Sequence, residues 1–435
     1  MRFRDFLEID FILLFAALVL VVVGILFIYS SGITSDGILI SNEHRRQMVW
    51  GAVGLVFALV IAMFNYRRIY DLSLYLYLGT LVLLLYTGVF GRVLYGSRWL
   101  RIGSFGIQAS EFAKITTIIF LARYLDSTKR NQGVFVRFLI SCLIVMAHMV
   151  VVLIQPDLGT ALVFIPILLG MTFMAGITIR YIIFLGLTIV LAGILLVLPL
   201  WQSAIMQNSL PVLMILTIKR FVAAGCLILT LIMAIAWFGF IRFKKRYFYW
   251  ICYVTGILIL ALGLSFAAQK VLKEYQIMRL IVFMNPNVDP RGSGWHIIQS
   301  ITAIGSGGVF GKGYLQGTQS HYRYLPEQST DFIFSILSEE SGFFGGILVF
   351  TLFLIINLRL VKIMQTTSDT FGSYIVGGIV SMFIFHFLIN VGMTMGIMPI
   401  TGIPLLFVSY GGSALLSAMA GIGLALSIHV RRYVH

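Results

Sequence analysis

Acidic side chains are rare in this sequence, and their positions are the first guide to any chemistry. Only 16 of the 435 residues are Asp or Glu, against 31 Lys and Arg. Half of the acids lie at the ends of long apolar runs or in one polar segment between them: Glu111, Asp157, Glu274, Asp289, Glu327, Asp331, Glu339 and Glu340. Ionisable groups beside apolar segments persist mainly where they line a wet cavity or pair with each other. These acids therefore indicate a polar cavity where chemistry can occur.

Asp289 is the acid whose surroundings best suit a reactive carboxylate. It lies in NPNVDPRGSG, where a Pro and a glycine-rich stretch follow it, so the sequence predicts a turn with exposed backbone donors. A carboxylate on such a turn can serve as a general base or as a ligand of a divalent cation. The same residues also fit an Asp-Pro turn without a chemical role, and the sequence leaves both interpretations open.

Glu111 and Lys114 are the strongest candidate pair. They are three residues apart in QASEFAKI, a spacing that places both on one face of a helix. Either a salt bridge that braces the helix end or contacts with a polar substrate would explain them. Arg98 and Arg101 in the preceding GSRWLRIG flank Trp99, so that segment either anchors the protein at the membrane surface or holds a phosphate.

Other motifs exclude some kinds of site. The segment GSGGVFGKG, which contains Lys312, resembles an anion cradle. It lacks the Walker spacing, so no ATP site is predicted. His296 has no second His, Cys or acid three or four residues later, and the three cysteines lie in apolar runs without CxxC spacing, which excludes a zinc motif. His386 and Asn390 share a helix face, where a bond across helices and a functional role fit equally.

The elements that position these residues are membrane helices. The chain is 60% hydrophobic and 11% charged, with a mean hydropathy of +1.00, which predicts an all-α polytopic membrane protein without a separate soluble domain. The apolar runs predict about twelve spans, at 11–30, 48–64, 73–90, 109–125, 137–154, 158–176, 180–200, 220–241, 248–268, 342–361, 374–395 and 404–430. The net charge of +15 is scattered along the chain, so nucleic acid is not an expected partner.

Charge in the connecting segments predicts the orientation. Twelve spans place both termini on one side, and the short segments on that side are rich in Lys and Arg, so both termini are expected in the cytoplasm. The long segment 269–341 then lies outside as the expected site of chemistry. The outer side is basic as well, with Arg46, Arg98 and Arg101 among its cations, which indicates lipid head groups or an anionic substrate as partner.

Four long motifs resemble the SEDS family, the shape, elongation, division and sporulation proteins. They are GSRWLRIGSFGIQASEFAKI, QPDLGTALVF, the loop from NPNVDPRGSGWHIIQS to LPEQSTDFIFSILSEESGFFGG, and NVGMTMGIMPITGIPLLFVSYGGSALLS. The likeness spans nearly the whole chain and is closer to the family's rod-shape branch than to its division branch. It implies a single integral membrane domain over 1–435, with the family's ten spans plus an inserted helical hairpin at 205–268.

The resemblance also implies a function and a site. It implies a peptidoglycan glycosyltransferase that polymerises lipid II at the outer face of the bacterial cytoplasmic membrane and works with a class B penicillin-binding protein. Asp289 matches the family's essential loop aspartate, and Mg²⁺ or Mn²⁺ is an expected cofactor. The candidate substrate-binding residues are Arg46, Arg98, Arg101, Glu111, Lys114, Gln299, Ser300 and Lys312. A lipid II flippase is the alternative, although the sequence shows no internal repeat. A scaffold that only recruits the transpeptidase would leave the outer carboxylates unexplained.

Overall fold

A computed structural model describes residues 9–94, 99–102, 105–205, 218–290 and 292–432. These residues form fifteen α-helices, one 3₁₀ turn at Pro286–Val288 and two short strands. The helices are α1 Phe11–Ser31, α2 Glu43–Met63, α3 Arg67–Leu94, α4 Ala109–Ser127, α5 Val134–Ile154, α6 Leu158–Met174, α7 Ile179–Ile205, α8 Lys219–Phe243, α9 Arg246–Val271, α10 Glu274–Met284, α11 Ser293–Gly307, α12 Thr318–His321, α13 Ile333–Thr366, α14 Thr370–Thr394 and α15 Gly412–Val430.

The prediction of an all-α polytopic membrane protein is confirmed. Among the described residues, ten helices are long and apolar enough to cross a membrane. The other two predicted spans, 109–125 and 158–176, are helical as well, as α4 and α6. Four charged residues interrupt α4 (Glu111, Lys114, Arg123 and Asp126), and α6 has only 17 residues, so neither has the length and apolar composition of the other ten.

Two predicted helix boundaries differ most from those of the structure. The span predicted at 404–430 begins as a helix only at Gly412, because residues 404–411 form an irregular segment that packs inside the bundle. The span predicted at 342–361 is part of a longer element, Ile333–Thr366, in which two helical segments meet at Gly342. Gly342 has a φ of 65°, a left-handed conformation that favours glycine. The predicted loop at 269–341 therefore contains the first part of α13 in addition to α10, α11 and α12.

A short β-hairpin among the described residues was not part of the all-α prediction. Strands β1 (Trp99–Ile102) and β2 (Phe105–Gln108) pair in antiparallel register, with Trp99 opposite Gln108 and Ile102 opposite Phe105. A Cβ atom at Gly106 would lie 3.1 Å from the Trp99 ring, so the glycine leaves room for this indole. The strands lead directly into α4 and therefore fix where Glu111 and Lys114 begin their helix.

The chain groups into two compact units. The first comprises Met1–Gly176 with His296–His435, and the second comprises Ile177–Trp295. In the first unit α15 is the central helix, since all of its residues except Leu416 are buried. Small residues let this helix approach its neighbours closely: a Cβ atom at Gly423 would lie 2.6 Å from the Ala58 carbonyl oxygen.

The second unit contains the hairpin predicted at 205–268. Its two helices, α8 and α9, are present and pack against each other, and α9 also packs against α7. The turn between them consists of Lys244 and Lys245. It is this short because Lys244 adopts a left-handed conformation (φ 52°), which ends α8. Residues 206–217, which belong to the predicted range and precede α8, lie outside the described residues. The assignment of the hairpin as an insertion in a single domain stays a prediction.

Candidate functional site

Asp289 lies on the predicted turn, in the second unit. It follows the 3₁₀ turn Pro286–Val288, and its side chain is half-buried. Its Oδ2 atom accepts a hydrogen bond of 2.8 Å from the Ser293 amide, at the start of α11. Its carbonyl oxygen accepts from the Gly294 amide at 3.1 Å. The carboxylate is thus held through one oxygen by the backbone, on a polar turn and not in an apolar core.

The glycines after Asp289 allow this arrangement. A Cβ atom at Gly292 would lie 2.2 Å from Asp289 Oδ2, and one at Gly294 would lie 2.1 Å from the Pro286 carbonyl oxygen. Any larger side chain at these positions would push the turn apart, which explains why a glycine-rich stretch follows the aspartate. On the other side, the Asn285 side chain accepts from the Asn287 amide at 3.1 Å and closes the 3₁₀ turn.

Glu111 and Lys114 form a buried ion pair in the first unit. Lys114 Nζ lies 2.8 Å from Glu111 Oε2 and 2.9 Å from Oε1. The lysine side chain has no exposed surface and Glu111 is 3% exposed. Lys114 Nζ also lies 3.1 Å from His386 Nε2 on α14, and Ser417 on α15 donates to Glu111 Oε2 at 3.3 Å. The expected pairing is present, and it joins three helices.

Further hydrogen bonds join α14 to the segment before α15, and the residue before α4 to the start of α6. His386 Nδ1 lies 3.1 Å from the Pro404 carbonyl oxygen, and Asn390 donates to the Ile403 carbonyl at 2.8 Å. Gln108, immediately before α4, donates to Asp157 Oδ2 at 2.8 Å, and Asp157 also caps α6 by accepting from the Thr160 amide. His386 therefore bonds across helices to Lys114, whereas Asn390 donates to the carbonyls of Asp331 and Ile403, which lie in non-helical segments. The bond across helices that the sequence offered as one interpretation is thus present for His386, and a functional role of either residue stays a prediction.

A second group of buried acids was not assigned a role from the sequence. Glu339, on α13, has no exposed surface. Its Oε1 atom accepts from Lys312 Nζ at 2.7 Å, from the Thr318 amide at 2.9 Å and from the Gln319 amide at 3.0 Å. Lys312 also donates to Thr318 Oγ1 at 2.7 Å. The candidate substrate-binding lysine is therefore paired with a carboxylate that holds its loop.

Glu340 holds the same loop to α1. Its carboxylate accepts from the Leu315 amide at 3.1 Å and from the Ser30 hydroxyl, and it lies 3.6 Å from His321 Nε2. Tyr314 in this loop donates to the Leu26 carbonyl at 3.0 Å. Burial, with a smaller contribution from the Glu340 carboxylate, raises the pKa of the Tyr314 hydroxyl and keeps it a donor. Two adjacent acids at the start of an apolar helix were the signal for this anchor, since buried carboxylates require partners.

The remaining candidate substrate-binding residues have separate positions. Arg46 is exposed in the first turn of α2, Gln299 is half-buried on α11, and Arg101 belongs to β1. Ser300 is fully buried, 2.6 Å from the Ser335 hydroxyl and donating to the Thr394 carbonyl at 2.7 Å. Arg98 lies outside the described residues. Substrate binding by each of these residues stays a prediction.

No metal centre made of protein ligands alone is present in the part of the chain that the structure describes. Within it, no three His, Cys, Asp or Glu side chains group closely enough to hold an ion. Asp289 offers a single carboxylate, and Mg²⁺ sites often combine one or two carboxylates with phosphate oxygens of a substrate. A single carboxylate does not form such a site by itself, and a divalent cation at Asp289 stays a prediction.

Comparisons with known proteins identify the family. A family model for the cell cycle proteins FtsW, RodA and SpoVE matches residues 11–210 and 204–434. The peptidoglycan glycosyltransferase RodA of Treponema pallidum is 47% identical over 433 residues, which are 99% of this chain and 100% of the relative. The stage V sporulation protein E of Bacillus subtilis is 32% identical over 96% of both chains.

Solved structures share the fold. A chain from a study of the structural coordination of polymerization and crosslinking by a peptidoglycan synthase complex has a TM-score of 0.65 and 25% identity, over 98% of this chain and 99% of that one. The crystal structure of the rod shape determining protein RodA from Thermus thermophilus has a TM-score of 0.61 and 23% identity, over 98% of both chains. The motifs, the family model and these full-length likenesses agree, and the chain belongs to the SEDS family of shape, elongation, division and sporulation proteins.

Proposed function

We propose that this protein polymerises lipid II into β-1,4 glycan strands at the outer face of the cytoplasmic membrane, with Asp289 as its essential carboxylate. The predicted peptidoglycan glycosyltransferase activity is confirmed by the full-length relative at 47% identity. The observation that carries the assignment of Asp289 is its geometry. The carboxylate stands half-buried on a glycine-rich turn and is held through Oδ2 by the Ser293 amide. No described residue bonds its other oxygen, Oδ1, so that atom remains for a substrate.

The reaction requires one general base and several cations from the protein. The donor sugar is linked through an α-diphosphate to a polyprenyl chain, so a good leaving group is already present. Formation of a β-1,4 bond by inversion requires an activated acceptor hydroxyl and stabilised phosphate charge. Asp289 removes the proton from the acceptor 4-hydroxyl in this proposal. A well-placed general base contributes about 10²- to 10⁴-fold to the rate.

A divalent cation is the second role open to Asp289. Mg²⁺ or Mn²⁺ bound between Asp289 and the diphosphate would supply charge stabilisation for the leaving group. The two roles differ in their dependence on pH and on metal. A rate that follows the ionisation of one carboxylate and is insensitive to chelator supports the base, whereas a rate that chelator abolishes and metal restores supports the ligand.

The sequence predicts Lys312, Lys114 and Arg46 as cations that neutralise diphosphate charge, and the structure shows how exposed each of them is. Lys312 is partly accessible, because its side chain is 27% exposed although its ammonium donates to Glu339 and Thr318. Lys114 has no exposed surface, and Glu111 and His386 surround its ammonium. Contact between Lys114 and a diphosphate therefore requires the buried group to open. Arg46 is exposed and needs no such change.

The orientation and the partner are part of the proposal. The excess of Lys and Arg in short inner segments supports cytoplasmic termini and an outer active face. The structural likeness to a chain of a peptidoglycan synthase complex supports a partner that crosslinks the glycan, which we assign to a class B penicillin-binding protein.

Reconstitution tests the proposal. Purified lipid II is incubated with the purified protein, alone and with its transpeptidase partner, and the products are separated by size. Glycan strands in either reaction support the polymerase. Movement of lipid II between leaflets of a vesicle without any polymer would instead support the flippase and contradict the proposal.

A further inference from the structure

One end of the second unit carries an exposed group of cations. Arg242 is in the last turn of α8, Lys244 and Lys245 form the turn, and Arg246 begins α9. Arg180, at the start of α7, is brought to the same end because its carbonyl accepts a 2.7 Å hydrogen bond from Tyr253 of α9. All five side chains are exposed. We refer to Arg180, Arg242, Lys244, Lys245 and Arg246 as the basic cap.

The basic cap stands on packed aromatic rings. Phe243 and Phe248 stack with ring centroids 6.1 Å apart, and the Arg180 guanidinium lies over the Tyr249 ring at 5.9 Å. A Cβ atom at Gly239 would lie 2.5 Å from the Phe248 ring, so α8 and α9 meet closely just below the turn. The backbone of the turn is therefore held by close packing, and the positions of the cations do not depend on a bound ligand.

The unit offers these cations no compensating charge nearby. The sequence contains no Asp or Glu between Asp157 and Glu274, so α7, α8 and α9 carry no acid at all. Five positive charges at one helical end without an internal counterion leave an uncompensated field. Such a field attracts an anion from outside the unit.

The surroundings of the basic cap belong to a membrane surface. Trp237 and Trp250 are 58% and 51% exposed, and Tyr247 is 57% exposed. They lie within two turns of the cations. The outward faces of these helices are apolar, and only Val222, Ala236 and Gly239 of α8 are buried. Tryptophan and tyrosine at such a level are typical of the boundary between acyl chains and head groups. A soluble protein partner would not explain apolar faces that continue below the charges.

We propose that the basic cap is a binding site for an anionic phospholipid, whose phosphate the cations hold while its acyl chains lie along the exposed faces of α8 and α9. The aromatic side chains seat the glycerol region between the two. The inference does not depend on the polymerase assignment or on which side of the membrane the turn faces, because both leaflets can carry anionic lipid. It gives a role to the hairpin, which has no acid that could serve as a catalytic carboxylate.

The tryptophans beside the site provide the assay. The full-length protein is reconstituted in nanodiscs of phosphatidylcholine with increasing fractions of brominated phosphatidylglycerol or, separately, brominated phosphatidylcholine. Bromine quenches nearby tryptophan fluorescence. The signal of Trp237 and Trp250 is obtained by difference from the double variant Trp237→Phe/Trp250→Phe. Quenching against lipid fraction then gives the relative affinity of the site for the two lipids.

The charge variant and its control remove cations from opposite ends of α8. Each cation near an anionic surface contributes about fivefold to lipid affinity, so wild-type protein should prefer phosphatidylglycerol by at least about tenfold. Arg242→Gln/Lys244→Gln/Lys245→Gln/Arg246→Gln should lose that preference. Lys219→Gln/Arg220→Gln, which removes two exposed cations from the other end of α8, should keep it within about twofold.

A salt series on the wild-type protein keeps the test independent of whether the charge variant folds. Raising NaCl toward 1 M shortens the screening length to about 3 Å and should lower the preference several-fold. Equal quenching by the two lipids in wild-type protein would overturn the proposal and leave the cations to an acidic protein partner. A preference that survives in the charge variant would overturn it as well, because the lipid would then be held elsewhere.

Discussion

Replacement of Glu339 by alanine should release the loop that carries Lys312. The carboxylate has no exposed surface, and it accepts hydrogen bonds from Lys312 Nζ and from the amides of Thr318 and Gln319. Alanine leaves these donors without their acceptor. The Lys312 and Gly313 amides still bond the backbone carbonyls of Glu339 and Glu340, so the loop should open locally while α13 stays folded.

The magnitude follows from the two amides. A hydrogen bond to a charged group contributes about 1.5–3 kcal/mol, and two such bonds are lost. The Lys312 ammonium is 27% exposed and regains water, so its contribution is small. Thr318 is itself exposed, which favours the low end of the range. We expect the free energy of local opening to fall by about 3 kcal/mol, which is roughly a hundredfold rise in the open population.

Amide hydrogen exchange measures this opening directly. Exchange in residues 311–321 is followed by mass spectrometry in wild-type protein, Glu339→Ala and Glu339→Gln, where glutamine retains an acceptor oxygen and should give an intermediate rate. Glu327→Gln is the control, because Glu327 is an exposed acid in the same loop, and its exchange should stay within about threefold of wild type. Unchanged exchange in Glu339→Ala would refute the anchoring role.

Two further predictions concern the ion pair and the topology. Lys114→Met should destabilise the protein by about 3–5 kcal/mol, because Glu111 then keeps a buried carboxylate without its cation, and Glu111→Gln/Lys114→Met should recover most of that loss in thermal unfolding. A single variant as stable as wild type would show that the pair contributes no stability. A cysteine replacing Lys245 should resist an impermeant reagent added outside cells while one replacing Gln316 reacts. The reverse labelling would overturn the orientation and the outer site together.

The sequence predicted best what hydropathy and local spacing determine. The spans follow from apolar runs, and the Glu111–Lys114 contact follows from two residues three apart on one helix. The turn at Asp289 was predictable because proline and glycine restrict the backbone locally. Each of these depends on neighbours in the chain, which is why a single sequence suffices.

Contacts between distant segments were not predictable in the same way. His386 lies beside Lys114 although 272 residues separate them, and Ser30 bonds Glu340 across 310 residues. The helix start at Ile333 was missed because Glu339 and Glu340 lower the hydropathy of the segment before Gly342. These buried carboxylates accept hydrogen bonds from residues that are distant in the sequence. The β-hairpin was missed because four-residue strands leave too short a pattern.

Polymerisation of purified lipid II by wild-type protein and by Asp289→Asn tests the central claim most directly. Asp36→Asn, at an exposed acid in the loop between α1 and α2, serves as the control for loss of one carboxylate. We predict glycan strands from wild type and control, and a rate at least about 10²-fold lower from Asp289→Asn with unchanged thermal stability. Polymerisation by Asp289→Asn at the wild-type rate would remove this carboxylate from the mechanism and contradict the account.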